Sequence, residues 1–451
     1  MSTPSTPTPS SPTPSAGPPT PTQGVPTSRR RSAVALIGAA IAVQAMTAPG
    51  QTIGISVFVD HLVDDLDVSR SAVSSAYFLG TLLGAATLPV TGRFIDRRGV
   101  RQAIRAFAVA FGAALIAMSG VVGIVTLAIG FTLTRAIGQG ALTLAATTSI
   151  AVGFESRRGT ALGIKTALSA ALMSIFPLVA TVLIGAMGWR FAWVAFGLVV
   201  WAVILPLTLT SALAPRVRLD GALGSEPDRV APPAGGSDDG AANRPRSAVR
   251  EPAPVITPAA AMRTWPFWSL TAAVSASALV GTGLVFHHVS LLAERGLSPA
   301  QAAANFVPHT VAGAVAALVA GRLADQFAPR VLLTVMLSIL TVTPLLVQHV
   351  GAGPSVVVYG LALGGATAAL RSIEATVMPR WYGLSAIGEL RGFVMATSVA
   401  ASAVGPLVLA LSTDLLGDYR PGLYVFSAVG AVLVVATALT RPPDLARLRS
   451  A

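Results

Sequence analysis

Long apolar stretches dominate this chain, and each is long enough to cross a bilayer. A membrane-spanning helix needs roughly 20 mostly apolar residues, because the hydrocarbon core is about 30 Å thick. The pattern predicts twelve spans, near residues 33–59, 72–93, 103–123, 125–151, 160–185, 190–211, 265–290, 299–321, 331–349, 354–377, 393–413 and 421–440. Transmembrane strands would instead alternate over about ten residues. The predicted fold class is therefore an all-α integral membrane protein with twelve transmembrane helices.

Composition supports this class and excludes several others. Of the 451 residues, 53% are hydrophobic and 11% are charged, whereas soluble proteins carry about 25% charged residues. The absence of cysteine excludes disulfides, thiolate metal sites and thiol nucleophiles. The five histidines are scattered, and no zinc-protease, paired-carboxylate or P-loop motif occurs. The sequence thus predicts no enzyme, no metal, no cofactor and no ATP-driven transport.

The basic residues behind the net charge of +12 indicate how the chain is oriented in the membrane. With a cytoplasmic N-terminus, 25 of the 31 basic residues fall in cytoplasmic segments, four fall outside and two lie within spans. Positive charge concentrates in cytoplasmic loops. We therefore predict a multi-pass protein of the cell membrane with both termini in the cytoplasm, and the basic charge needs no nucleic-acid partner.

Residues 1–31 and 212–263 differ from the spans in composition, because together they hold 17 of the 32 prolines. The first reads as a disordered tail and the second as a flexible linker. Arg29-Arg30 before an apolar stretch also fits a twin-arginine export signal, but eleven further spans follow. The predicted organisation is a tail (1–31), an N-terminal six-helix bundle (32–211), a linker (212–263), a C-terminal six-helix bundle (264–440) and a cytoplasmic tail (441–451).

The two halves carry matching landmarks in equivalent loops. The pairs are Gly92–Asp96 with Gly321–Asp325, Arg158-Gly159 with Arg391-Gly392, and Trp189-Arg190 with Tyr419-Arg420, at separations of 229, 233 and 230 residues. Three matches in order indicate a duplicated six-helix unit. Such repeats are a transporter architecture, with the substrate site at the midplane between halves that rock.

The loop after the second span resembles the signature G-x-L-x-D-R-x-G-R of the major facilitator superfamily. It includes Gly92, Asp96, Arg97, Gly99 and Arg101. The resemblance implies two pseudo-symmetric bundles and a latch in which this loop holds the halves together at the cytoplasmic side. The alternative is that these arginines only fix topology.

The second copy of the motif keeps Gly321 and Asp325 but has Gln326, Phe327 and Pro329 where arginine and glycine are expected. Residues 50–58, 69–71 and 157–163 further resemble the monocarboxylate-transporter-like branch of the superfamily. That branch usually carries an Asp and an Arg in helix eight and a Lys in helix one, and this sequence has neither feature.

Polar residues within spans are candidates for function, because each costs a few kcal/mol in lipid. In the first half, Arg135 lies near the midplane without an acidic partner, with Gln139 one turn further. It suits an anionic substrate, or else bonds backbone carbonyls at a break in helix one. Pro49-Gly50-Gln51 predicts that break, which places Gln51 towards the substrate. Lys165 either snorkels to the cytoplasm or makes a second anion contact.

The second half offers three further groups. Asn305 and His309 lie one turn apart, and His309 can serve proton coupling or simply be a buried hydrogen-bonded residue. Arg371 and Glu374 are spaced to pair on one face as a structural pair or gate. His288, beside His287, is predicted at the outer rim, with pH sensing as the alternative.

These residues predict a monomeric secondary transporter that binds a small organic anion, a carboxylate, with proton coupling left open. The lipid bilayer is the other partner. The alternative function is proton-driven efflux of amphipathic drugs, which would use Glu374, the intramembrane acid. The low aromatic content of 6% argues against a stacking drug pocket.

Overall fold

Eleven helices of spanning length and one bent pair that can count as a twelfth span lie within the described residues. The computed structural model describes residues 27–154, 158–210, 213, 257–382 and 387–441. The predicted tail up to residue 26, most of the linker and the C-terminal tail from 442 lie outside the described residues, as does the side chain of Asp325. The last part of the predicted linker contains a short helix, Pro258–Met262.

Eleven of these helices are straight enough to count as single spans, and the twelfth bends by 42° within itself. In chain order they are α1 (Arg31–Gly50), α2 (Arg70–Ala86 and Leu88–Arg98), α3 (Val100–Met118), α4 (Ile124–Gly153), α5 (Arg158–Met187), α6 (Trp189–Leu209), α7 (Trp265–Phe286), α8 (Pro299–Ala324), α9 (Pro329–His349), α10 (Pro354–Tyr382), α11 (Ile387–Leu416) and α12 (Arg420–Ala438). Every predicted span corresponds to one of them, with shifted ends. Three short helices continue α1 and α7: Thr52–Ile55, Val59–Leu66 and His288–Ala293.

Single glycines join two pairs of consecutive spans. Gly99 separates α2 from α3 with a φ of 77°, and Gly188 separates α5 from α6 with a φ of 81°. Side chains other than glycine avoid this left-handed region. A one-residue reversal at the membrane surface therefore requires glycine at both positions, which gives Gly99 a structural role.

The two halves use the same helix pairings. In the first half α1 packs on α5, α2 on α4 and α3 on α6, and the second half repeats this as α7 on α11, α8 on α10 and α9 on α12. Glycines at the crossings bring backbones close: Gly80 lies against Phe131, Gly364 against His309 and Gly405 against Leu279. Small residues are the usual means of tight helix packing in membranes. The predicted duplication is therefore visible in the packing itself.

The halves meet along α2 with α11 and α5 with α8. We call the end of the bundle with the α1–α2 and α7–α8 connections the Asp60 end, and the end with the α2–α3 connection the Asp96 end. The helices α1, α4, α5 and α6 contain no Asp or Glu.

Candidate functional site: two cations at the break of helix one

Helix one breaks where its sequence predicts. The helical part of α1 ends in a 3-10 turn at Ala48–Gly50, and Gln51 is extended at φ −89° and ψ 159° before the short helix Thr52–Ile55. A Cβ on Gly50 would meet the carbonyl oxygen of Thr134 at 2.7 Å. The break therefore lies directly against α4, close to Arg135.

Arg135 is buried beside this break. It begins a π-helical segment of α4, Arg135–Leu142, a feature that often marks functional sites. Its Nη1 donates to Thr52 Oγ1 at 3.4 Å, and its guanidinium lies 4.5 Å from the ring centroid of Tyr77. The Tyr77 hydroxyl is 2.6 Å from the same Thr52 oxygen. All these partners are neutral, and the buried Nε has no hydrogen-bond partner in the described part of the chain.

Lys165 does not snorkel, and that prediction is wrong. Lys165 is only 4% exposed. Its Nζ donates to Gln44 Oε1 at 2.8 Å and lies 3.2 Å from Thr147 Oγ1. The orientation of α5 turns the side chain towards α1 and α4, so the amine finds protein acceptors and does not reach the headgroups.

A chain of side-chain hydrogen bonds leads from Lys165 to the break. Gln44 Nε2 donates to Thr143 Oγ1 at 3.1 Å and is 3.4 Å from Thr47 Oγ1. Thr47 in turn accepts from Gln51 Nε2 at 3.1 Å. Arg135 therefore lies on one side of the break and Lys165 on the other. None of the helices that hold this chain carries a carboxylate.

Gln139 is separated from Arg135. Its side chain is exposed, while Arg135 is buried. Gln44, Tyr77 and Thr52 are the additional members of the site. Gln44 was detectable in sequence as a polar residue inside an apolar span, whereas nothing in the sequence distinguishes Tyr77.

A second polar cluster lies between α7, α8 and α10. Asn305 Nδ2 donates to the carbonyl of Val356 at 2.6 Å, and His288 Nε2 bonds the carbonyl of Ala302 at 3.2 Å. Phe306 packs between the rings of His288 and His309, at 4.3 and 6.3 Å. The following atoms of the cluster are buried without a hydrogen-bond partner among the described residues: Asn305 Oδ1, His309 Nδ1, His288 Nδ1 and Tyr359 Oη.

The histidines after α7 are not rim residues, and that prediction is wrong. His287 and His288 are 0% and 1% exposed, because α11 and α8 cover them. His287 Nε2 lies 2.9 Å from the carbonyl of Pro406, and its Nδ1 is 3.2 Å from the Tyr419 hydroxyl. Burial raises the pKa of Tyr419. The hydroxyl therefore stays protonated. Nε2 of His287 faces a carbonyl oxygen, which only accepts, so Nε2 carries the ring hydrogen and Nδ1 accepts from the Tyr419 hydroxyl.

Glu374 pairs with a different arginine from the one predicted. Its Oε1 lies 3.3 Å from Nε of Arg391 on α11, and it is 7% exposed. Arg371, one turn away on α10, is exposed. The interhelical contact replaces the predicted pair within α10, because the buried carboxylate faces α11.

The halves are joined at the Asp60 end. Arg70 and Asp60 of the first half form an ion pair of 2.6 Å, and Ser290 of the second half bonds both, donating to Asp60 at 2.7 Å and accepting from Arg70 at 3.1 Å. Asp414 accepts from the backbone N–H of Ser71 at 2.7 Å, at the start of α2. All hydrogen bonds that connect the two halves within the described ranges lie at this end.

At the Asp96 end the predicted latch makes no such bond. Asp96, Arg97 and Arg101 are exposed, and Gly92 is half-buried. No ion pair or hydrogen bond links the segment 92–101 to the second half in the residues that the structure describes. Gly321 approaches Ser372 of α10, within its own half. Among the described residues, the halves are thus bonded at the Asp60 end, and the role of the segment 92–101 as a latch stays a prediction.

No cluster of three or more His, Asp or Glu side chains that could hold a metal occurs in the described parts of the chain. The chemistry of the candidate site at the break of helix one is that of two buried basic side chains with neutral partners.

The sequence as a whole matches a known family. The family model of the Major Facilitator Superfamily matches residues 34–347 and 288–451. The chain belongs to the major facilitator superfamily. It is therefore a multi-pass membrane protein and a secondary transporter that works by alternating access.

Solved structures share the fold. A bacterial homolog of the human lysosomal transporter Spinster, in an inward-facing and occupied conformation, matches with a TM-score of 0.67 at 17% identity, over 92% of this chain and 96% of that chain. The inward-facing and unoccupied form of that homolog matches with a TM-score of 0.65 over the same shares. No curated protein matches the chain significantly.

Proposed function

We propose that this transporter carries a small organic anion, with carboxylates as the substrate class, and that protons are the coupling ion. The observation that carries the proposal is the pair of buried basic side chains, Arg135 and Lys165, on either side of the helix-one break. Arginine stays protonated in proteins, and a buried charge without a counter-charge is costly in a low-dielectric interior. A bound carboxylate would supply that counter-charge.

The geometry at Arg135 fits such a ligand. Arginine presents a planar fork of donors that matches a carboxylate, and only Nη1 has a protein hydrogen-bond partner among the described residues. The chain is unwound at Gln51 beside Arg135, with the Gln51 N–H bonded to the carbonyl of Ala48 and its carbonyl accepting from Gly54 and Ile55. Unwound backbone of this kind is tolerated only in protein or beside a cavity, which supports a substrate site here.

Topology and oligomeric state belong to the same proposal. The 25-to-4 division of basic residues supports placing the Asp96 end in the cytoplasm of a cell-membrane protein. The transporter is then inward-facing, with its outer side held shut by Asp60, Arg70 and Ser290. Each half contributes its own polar groups, so we propose that the monomer is the working unit.

The test uses purified protein in liposomes that contain a trapped pH dye. Acetate, lactate, pyruvate and succinate are added outside, and protein-free liposomes correct for diffusion of the neutral acids. The expected result is a protein-dependent internal acidification with at least one carboxylate. Charge-assisted hydrogen bonds contribute about 1.5–3 kcal/mol each, so we expect Arg135→Gln to weaken uptake at least tenfold.

Arg105→Gln is the matched control. Arg105 lies on α3 and bonds only to Thr208, at 3.1 Å to its hydroxyl and 3.3 Å to its carbonyl, so its loss removes the same charge away from the site. Wild-type protein that moves no carboxylate but drives lipophilic cations against a proton gradient would overturn the proposal. Drug efflux through Glu374 would then be the better account.

A further inference from the structure

Lys165 is the only lysine of the chain, and the other 30 basic residues are arginines. The two differ in one property that matters inside a membrane. Arginine stays protonated in proteins, whereas a buried lysine can lose its proton. The one residue of this pair that can switch its charge therefore lies in the buried network beside helix one.

The partners of Nζ suit both of its charge states. The neutral amine has two N–H groups, and the structure provides two acceptors, Gln44 Oε1 at 2.8 Å and Thr147 Oγ1 at 3.2 Å. The Thr147 hydroxyl donates its hydrogen to the carbonyl of Thr143, so its oxygen accepts from the amine. The ammonium form has a third N–H. A carboxylate oxygen is the natural acceptor for that donor.

Among the described side chains, the charged groups on the first-half helices that pack around Lys165 are all basic. On α4 the charged group is Arg135, and on α5 it is Arg158, which bonds the carbonyl of Ala151 at the Asp96 end. Both α1 and α6 carry a charge only at one end, Arg31 on α1 and Arg190, which pairs with Asp65, on α6. In α8 the titratable and charged residues are His309 and, at the Asp96 end, Arg322, with Asp325 next along the chain. A proton on Lys165 is thus disfavoured until an anion arrives. An anion is likewise held more tightly once Lys165 is charged, because linkage is reciprocal.

We propose that Lys165 Nζ is the carrier of the coupled proton, so that one proton and one carboxylate occupy the helix-one break together. The lone pair of the amine takes a proton from water on the entry side, and the ammonium and Arg135 bind the carboxylate. When the site opens to the other side, the anion leaves, and the uncompensated ammonium returns its proton to water there. This inference rests on the proposed anion transport and names its coupling group.

The single lysine allows a direct test. Protein grown with lysine labelled at Cε with carbon-13, and purified without lysine in its tag, gives one side-chain lysine signal in NMR. The titration of this signal gives the midpoint for loss of the Lys165 proton. The midpoint should rise when succinate or lactate is added, and also in Arg135→Gln, where a neighbouring cation is lost. A midpoint equal to that of free lysine and unmoved by carboxylates overturns the inference.

Transport assays on variants distinguish the charge of Lys165 from its ability to release a proton. Lys165→Arg keeps the charge but cannot release the proton, so we expect the ratio of carboxylate-driven proton flux to exchange of radiolabelled carboxylate to fall at least tenfold. Lys165→Gln should lose both. Arg158→Gln, on the same helix, should lose neither.

The two proposals fail in different ways. Wild-type carboxylate transport whose proton flux survives in Lys165→Arg overturns the role of Lys165 and leaves anion transport standing. A wild type that moves no carboxylate of the panel overturns the proposed function itself, and the inference falls with it.

Discussion

Ser290→Ala tests whether the hydrogen bonds at the Asp60 end hold the two halves together. Asp60 and Arg70 belong to the first half, and Ser290 is the residue of the second half that bonds both of them, at 2.7 and 3.1 Å. Their ion pair survives the substitution, since it lies within one half. The change therefore removes the two bonds from Ser290 to the first half and leaves the bond between Ser71 and Asp414 in place.

The free energy lost in Ser290→Ala follows from the charge and exposure of its two partners, Asp60 and Arg70. Hydrogen bonds to charged groups contribute about 1.5–3 kcal/mol each, but Asp60 and Arg70 are 34% and 26% exposed, and water replaces the lost bonds when this end opens. We therefore take about 2 kcal/mol for the two bonds together. That free energy corresponds to a roughly thirty-fold fall in the ratio of closed to open molecules at the Asp60 end.

Spin-label distances can measure this ratio, because the chain has no cysteine. Cysteines placed at Asp64 and Ala300, both exposed at the Asp60 end, carry one label in each half. Ser290→Ala should broaden the short-distance population into a longer one. Ser402→Ala is the control, since its hydroxyl bonds only the carbonyl of Val399 in its own helix. If both variants give the wild-type distribution, these bonds do not stabilise the closed state.

Three further predictions follow from single contacts. Asp414→Asn should lower the ratio of closed to open molecules at the Asp60 end by about fivefold in the same assay, because it weakens a charged contact to the N-terminus of α2. Asp418→Asn should leave that ratio unchanged, because Asp418 bonds Arg420 close by in sequence. Arg391→Gln should lower the melting temperature by leaving the Glu374 carboxylate buried without its ion-pair partner, and adding Glu374→Gln should restore most of the loss; equal damage from Arg371→Gln would contradict the assigned pair. Gly364→Ala should reduce the yield of folded protein, because its Cβ would collide with the backbone of His309, whereas Gly365→Ala, which meets Ala316 only at 3.8 Å, should express normally.

The sequence predicted the parts of the fold that the bilayer dictates. Bilayer thickness sets the length of each span, so twelve apolar stretches identify twelve helices. The break at Pro49-Gly50-Gln51 was equally visible, because proline and glycine change the backbone locally. Duplication appeared in the landmarks of equivalent loops and is confirmed by the repeated helix pairings.

Side-chain partners were harder to predict, because they depend on how each helix is rotated about its axis. Lys165 lies two turns into α5, and sequence alone does not say whether that face meets lipid or α1. Its partner Gln44 lies 121 residues away. Glu374 has a basic neighbour three residues before it and another on α11, and only the packing of α10 against α11 selects Arg391. Interhelical choices of this kind are absent from hydropathy and spacing.

The duplicated halves have diverged in their chemistry while keeping the same packing. In the first half, the buried site holds two basic side chains with neutral partners; in the second, the buried cluster at α7, α8 and α10 is uncharged or titratable, with Asn305, His309 and Tyr359. An anion bound at the break of helix one would therefore be attracted mainly by one half. Its charge is balanced there whichever way the halves rock, so the site need not be rebuilt when access changes from one side to the other. The bonds at the Asp60 end are local and weak enough to be broken in each cycle.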